Sequence, residues 1–148
     1  MRVKRFISVI YLILLATMIG CSVKKYIPED EFLYTGADLN LQTEVEDIKG
    51  LDDVEEELNE LLRPEPNSKF LGMYIGLWAH YKGTQEKPGF INRFLNKKIG
   101  EKPVYFSQVT PSRTEELIIN RLENRGFFYS TTNSEVIRKD KFAKVDYT

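Results

Sequence analysis

Few residues in this chain have the chemistry of a reactive site, and their number limits what the protein can do. Its 148 residues include one cysteine, Cys21, and one histidine, His80. A lone cysteine makes neither a disulfide nor a thiolate metal cluster within the chain. A catalytic triad or a histidine-rich metal site needs partners that are scarcely present. Asp52, Asp53 and Glu55-Glu56-Glu57 make an acidic run. Consecutive side chains fan around a helix and do not converge on one ion. The run therefore reads as a solvated face near a helix N-terminus, where the dipole favours negative charge. No nucleophile–base pair is visible. The expectation is a non-enzymatic protein with no metal and no cofactor. Trp78, His80 and Tyr81 offer a glycan or peptide platform, against the plainer reading in which they close a small satellite core.

The charge balance narrows the partners. The formal net charge is −1, but residues 1–20 hold Arg2, Lys4 and Arg5 and no acid; without them 18 basic residues face 22 acidic ones, a net −4. The lysines are scattered, so there is no electrostatic footprint for nucleic acid. The length suits one modest core, and the apolar and charged fractions are those of a globular chain.

Residues 1–21 have the three parts of an export signal: the positive Met1–Arg5, an uncharged stretch of 13 residues from Phe6 to Met18, and a small residue before Cys21. A spanning helix needs roughly 20 apolar residues. The uncharged run continues to Val23, so a plain membrane anchor with Cys21 buried in it is the competing reading. Met18-Ile19-Gly20-Cys21 resembles the lipobox of bacterial lipoproteins, with Met18 where leucine is more usual. The resemblance implies a diacylglyceryl group on the Cys21 sulfur, cleavage between Gly20 and Cys21, and acylation of the freed amine. A thiolate suits the alkylation, and several acyl chains anchor where one does not. By the same resemblance to lipoproteins, Ser22 in place of an aspartate implies the outer membrane rather than retention in the inner one.

Residues 21–31 then form a charged tether. Ala37, Leu39 and Leu41 alternate with polar residues, which predicts a half-buried strand starting near Phe32. Asp52 with Glu55 predicts a capped helix whose stripe is Leu51, Val54, Leu58, Leu61 and Leu62, stopped by Pro64 and Pro66. Residues 64–108 read as a long irregular insertion, with Met73–Tyr81 extended and a short helix over Phe90–Ile99. Thr110-Pro111-Ser112 opens a helix with Leu117, Ile118 and Leu122 inward and Gly126 as its stop. Phe127-Phe128-Tyr129 leads a strand to about Arg138. A turn near Lys139-Asp140 returns Lys141–Thr148 with Ala143, Val145 and Tyr147 inward.

The fold class is α+β: strand, helix, insertion, helix, strand, strand, preceded by a signal helix. This order resembles the POTRA domain, the polypeptide-transport-associated module, over residues 32–148. Pro66-Asn67-Ser68-Lys69-Phe70-Leu71-Gly72, Gly100-Glu101-Lys102-Pro103-Val104-Tyr105 and Arg125-Gly126-Phe127-Phe128 are together similar to the N-terminus of TamL-like proteins. These are the lipid-anchored branch of the BamA/TamA outer-membrane assembly family. The resemblance implies a lipoprotein at the outer membrane that holds unfolded outer-membrane clients or assembly partners. It also implies further POTRA modules and a barrel, for which no run of ten-residue amphipathic strands is found here. This stretch is accordingly expected to be a fragment of a longer protein or a truncated frame.

Clients are expected on a strand edge, because unpaired N–H and C=O groups accept an extended peptide. The polar, proline-free Ser130–Val136 segment is the candidate edge, with Ser130, Thr132, Ser134 and Val136 as its residues. The alternative is a free-standing envelope lipoprotein that binds glycan or a protein through Trp78 and Tyr81.

Overall fold

The computed structural model describes residues 23–43, 45 and 48–148. Gly20, Cys21 and the signal segment lie outside the described residues. By their contacts the described residues divide into two units: Ile27–Asn67 with Pro103–Thr148, and residues 23–26 with Ser68–Lys102. They are called here the sheet unit and the helical unit.

The sheet unit is built on three strands. β1 (Leu33–Leu39), β2 (Ser134–Lys139) and β3 (Phe142–Tyr147) lie in the order β1-β3-β2. β3 runs parallel to β1 and antiparallel to β2. β2 and β3 form a hairpin around Asp140 and Lys141, with Asp140 in the left-handed region at φ 55°, which aspartate tolerates better than most residues. Ala143, Val145 and Tyr147 alternate inward as their spacing predicts, and all three are buried.

β1 reaches the same core by an irregular step. Tyr34 pairs with Ala143 and Ala37 with Val145, so three residues of β1 match two of β3. This is a bulge, and Gly36 supplies its unusual backbone at φ 116°. The Thr35 hydroxyl donates to the Ala143 carbonyl at 3.1 Å beside it. The extra residue brings Tyr34, Ala37 and Leu39 all to the core cluster, which strict alternation would not do.

α1 (Leu51–Asn59) and α4 (Pro111–Asn124) pack on each other and on the sheet. Tyr34, Val54, Leu58, Val109, Ile118, Leu122, Val145 and Tyr147 form the core. Full burial of a side chain such as Leu58 or Ile118 contributes ~1.5–3 kcal/mol. α4 ends as Gly126 predicts. The Phe127 N–H donates to the Leu122 carbonyl and the Gly126 N–H to that of Glu123, both at 2.9 Å, while Phe127 packs on the core. That pair of bonds is a Schellman motif, and Gly126 adopts φ 94° to make it.

Several expectations are corrected. α1 starts after Gly50, which is left-handed, and Asp52 makes no cap; it sits inside the first turn, where its charge meets the dipole. Thr110 is the N-cap of α4 with Pro111 at the first helical position, but no side-chain cap bond forms. The buried face of α4 is Thr114, Ile118 and Leu122, at i, i+4, i+8, and Leu117 is exposed. Phe127–Asn133 is a loop rather than a strand lead, because Phe127 is committed to closing the helix.

Residues 64–108 are more regular than expected. The helical unit holds α2 (Ile75–Gly83), where an extended stretch was predicted, and α3 (Phe90–Ile99). Two glycines let the helices touch. A Cβ at Gly83 would stand 2.3 Å from the Asn96 Cβ, and one at Gly76 would stand 2.8 Å from the Ile99 carbonyl. Among the described residues no helix is long and apolar enough to cross a membrane.

Candidate functional site

The middle strand of the sheet unit, β3, is paired on both sides, so only β1 and β2 have a second edge. Those two edges differ. The outer edge of β1 is covered at its start: the Tyr34 N–H donates to the Val104 carbonyl at 2.9 Å, and the Phe106 N–H to the Phe32 carbonyl at 2.8 Å. Leu33 and Tyr105 form an antiparallel bridge between these bonds. The Val104 N–H is in turn held by the Asn67 side chain, whose Oδ1 accepts it at 2.9 Å, and Asn67 is buried.

β2 carries the other edge. Asn133 and Thr148 exchange both backbone bonds at 2.9 Å, one step before the strand begins. In an antiparallel ladder bonded and non-bonded pairs alternate. From that anchor Glu135, Ile137 and Lys139 bond inward to β3, and Ser134, Val136 and Arg138 direct their N–H and C=O outward. Among the described residues no backbone bond reaches those outward groups.

Of the four edge residues read from the sequence, Ser134 and Val136 therefore stand on the strand at outward-facing positions. Ser130 and Thr132 do not; they lie in the loop, and the Thr132 hydroxyl is shielded from solvent. Arg138 was missed because Ser134–Lys139 shows no alternation of apolar and polar residues. Its guanidinium lies 5.1 Å from the Phe106 ring centre and 5.6 Å from that of Phe32. Such cation–π placement fixes the far end of the edge. Phe128 and Tyr129, in the loop leading to the edge, are also exposed.

A polar depression of about 360 Å³ lies where β2 begins, lined by Asp38, Asn40, Glu135, Asp146 and Thr148 among others. Asp38 and Asp146 both pair with Lys144, at 2.5 and 2.8 Å. Hydrogen bonds to Asp146 and then Asp38 hold the Lys144 ammonium above its ordinary pKa. On the opposite, core-facing side, burial, with the nearby Tyr147 and Asp38, pushes the Tyr34 hydroxyl up to about 12. Burial raises Tyr147 as well, against a hydrogen bond with Thr114 that lowers it. None of these groups has the geometry of an acid–base pair. Among the described residues no group of three or more histidine, cysteine, aspartate or glutamate side chains could hold a metal ion.

The acidic run of α1 is not wholly solvated. Glu57 accepts from Arg121 at 3.0 Å and from the Arg125 Nε at 3.1 Å, tying α1 to α4. In the helical unit the aromatic platform is not laid open. Trp78 and Tyr81 are half-buried on α2, and Tyr81 stacks on Tyr26 with ring centres 5.3 Å apart. His80 meets the Tyr81 ring edge-on at 6.0 Å.

The fold defines an α+β module with a mixed three-stranded sheet in which β2 is open along its outer edge. No protein-family model, curated protein or solved structure matches the chain.

Proposed function

We propose that this chain is a lipid-anchored module of the outer membrane, attached through Cys21, that takes extended segments of unfolded outer-membrane proteins or assembly partners onto β2. The observation that carries this reading is the difference between the two edges: Val104–Phe106 covers the start of β1, whereas β2 along its length leaves the groups of Ser134, Val136 and Arg138 without a backbone partner among the described residues. An open edge binds by main-chain hydrogen bonds, which suits clients of many sequences. The sheet unit has the element order strand, helix, helix, strand, strand on which the POTRA resemblance rests. Two of the three segments that suggested one also meet: Asn67 holds Val104 in the sheet unit, and the Ser68 N–H donates to Glu101 at 2.9 Å in the helical unit. No catalytic step belongs to the proposal.

The test is titration of an extended outer-membrane peptide against the protein. Val136→Pro removes an outward donor and leaves the ladder to β3 intact, as an edge strand permits. Binding should weaken about tenfold, the equivalent of ~1.4 kcal/mol. Thr132→Pro, outside the strand, should change affinity little. Unchanged binding by a Val136→Pro protein with native circular dichroism would rule the edge out. The anchor is tested separately by fatty-acid labelling: Cys21→Ala should lose the label and leave the precursor uncleaved.

A further inference from the structure

The helical unit leaves its largest apolar side chains in water. No residue of α3 is buried, and Phe90 is 84% exposed, Ile91 71% and Phe94 53%. At 100° per residue Asn92, Leu95 and Asn96, the half-buried positions, share the face turned inward. The outward arc carries Phe90, Phe94 and Ile91, flanked by Arg93 and Lys97 on one side and by Lys98 amid the apolar residues. A second apolar element is the turn at Phe70–Met73, whose ends bond reciprocally at 2.9 Å. Leu71 sits at its tip, 80% exposed and at φ 48°. A bulky apolar residue held in the left-handed region is strained.

Charge identifies what meets this face. Ser68–Lys102 holds 7 basic residues against 2 acidic ones, while Ile27–Asn67 with Pro103–Thr148 holds 9 against 20. A short amphipathic helix with phenylalanines and isoleucine on one arc and lysine and arginine beside them fits the interface of an anionic bilayer. We infer that α3 docks on such a surface, with Phe90, Ile91 and Phe94 in the headgroup–acyl boundary and Arg93, Lys97 and Lys98 on lipid phosphates.

Chain geometry supplies a second line, which rests on Cys21 as the lipid site. Tyr26, stacked on Tyr81 of the same unit, follows Cys21 by five residues, so the anchor lies within about 18 Å of it along the chain. The acyl chains thus bring the helical unit to the bilayer, and α3 gives it a second point of contact.

The experiment places a fluorophore on the arc. The full chain carrying Trp78→Phe and Phe94→Trp is reconstituted into phosphatidylglycerol–phosphatidylethanolamine vesicles and into phosphatidylcholine vesicles. In the anionic vesicles emission should shift to the blue, and brominated acyl chains should quench it several-fold more than in phosphatidylcholine. Adding Arg93→Glu, Lys97→Glu and Lys98→Glu should return the signal to the phosphatidylcholine level. Phe90→Trp provides an independent probe should the first variant misfold. Water-like, unquenched emission in anionic vesicles overturns the inference, as does burial of the probe by another copy or a protein in lipid-free solution. Repeating the measurement with the Cys21→Ala precursor separates the two readings. Quenching retained there, with the fatty-acid label lost, leaves docking standing on its own.

Discussion

In the sheet unit Tyr34, Leu58, Ile118 and Val145 are almost wholly withdrawn from water, whereas in the helical unit Leu77 and Ala79 are buried while Phe90, Ile91 and Phe94 face solvent. The two units also carry opposite charge. The sheet unit packs a core, and leaves exposed the outward backbone groups of β2 together with Phe128 and Tyr129 in the loop before it. The helical unit joins two short helices through the small faces at Gly76 and Gly83, and what it leaves exposed is side chain. Similar phenylalanines and isoleucines therefore have different consequences in the two units. Inside the first they set stability, and on the second they set what can be touched.

The contrast is broken most directly by truncation. Ile118→Ala should destabilise the protein by about 2–5 kcal/mol in urea unfolding, since a buried isoleucine leaves a cavity. Phe94→Ala, removing a larger but exposed side chain, should change stability by less than about 0.5 kcal/mol. Comparable losses at both positions would mean that the α3 arc is covered in solution.

Alkali should act on the core of the sheet unit. The Tyr34 hydroxyl is raised from 10.0 to about 12 in the folded protein. Between those values the unfolded chain has lost this proton and the folded chain has kept it. The stability it contributes is thus complete below pH 10 and is lost as pH rises through 12, on the order of 2 kcal/mol in all. Tyr34→Phe should flatten that part of the stability–pH curve. An unchanged slope would place the alkaline transition elsewhere.

A smaller effect is expected at the end of α4. Gly126→Ala meets no neighbour within 4 Å, yet it forces a side chain into φ 94°. It should cost about 1 kcal/mol, and the loss should appear in the sheet unit because Phe127 depends on that turn.

Much of the architecture could be read directly from residue order. The core face of β3 followed from Ala143, Val145 and Tyr147 at period two, and the stop of α4 from Gly126. Pro111 opened α4, and Val54 with Leu58 marked the inner face of α1. These signals are local, since each rests on the backbone preference of one residue or the periodicity of one element. The α+β class followed from them. What required the tertiary structure was every feature set by a partner distant in sequence. Met73–Tyr81 reads as extended in sequence, but Asn96 and the end of α3 pack against Gly83 and Gly76 as helical contacts. Glu57 read as a solvated acid until α4 brought Arg121 and Arg125 to it. Local character puts the free edge at Ser130, four residues before β2 starts, because Ser130 and Ser134 are alike in it. Asn133 meeting Thr148 fixes where pairing begins, and Val104–Phe106 covers the start of β1 while β2 stays open along its length. A sequence states which groups can make a bond, but which remain unpaired depends on the whole set of neighbours that folding assembles.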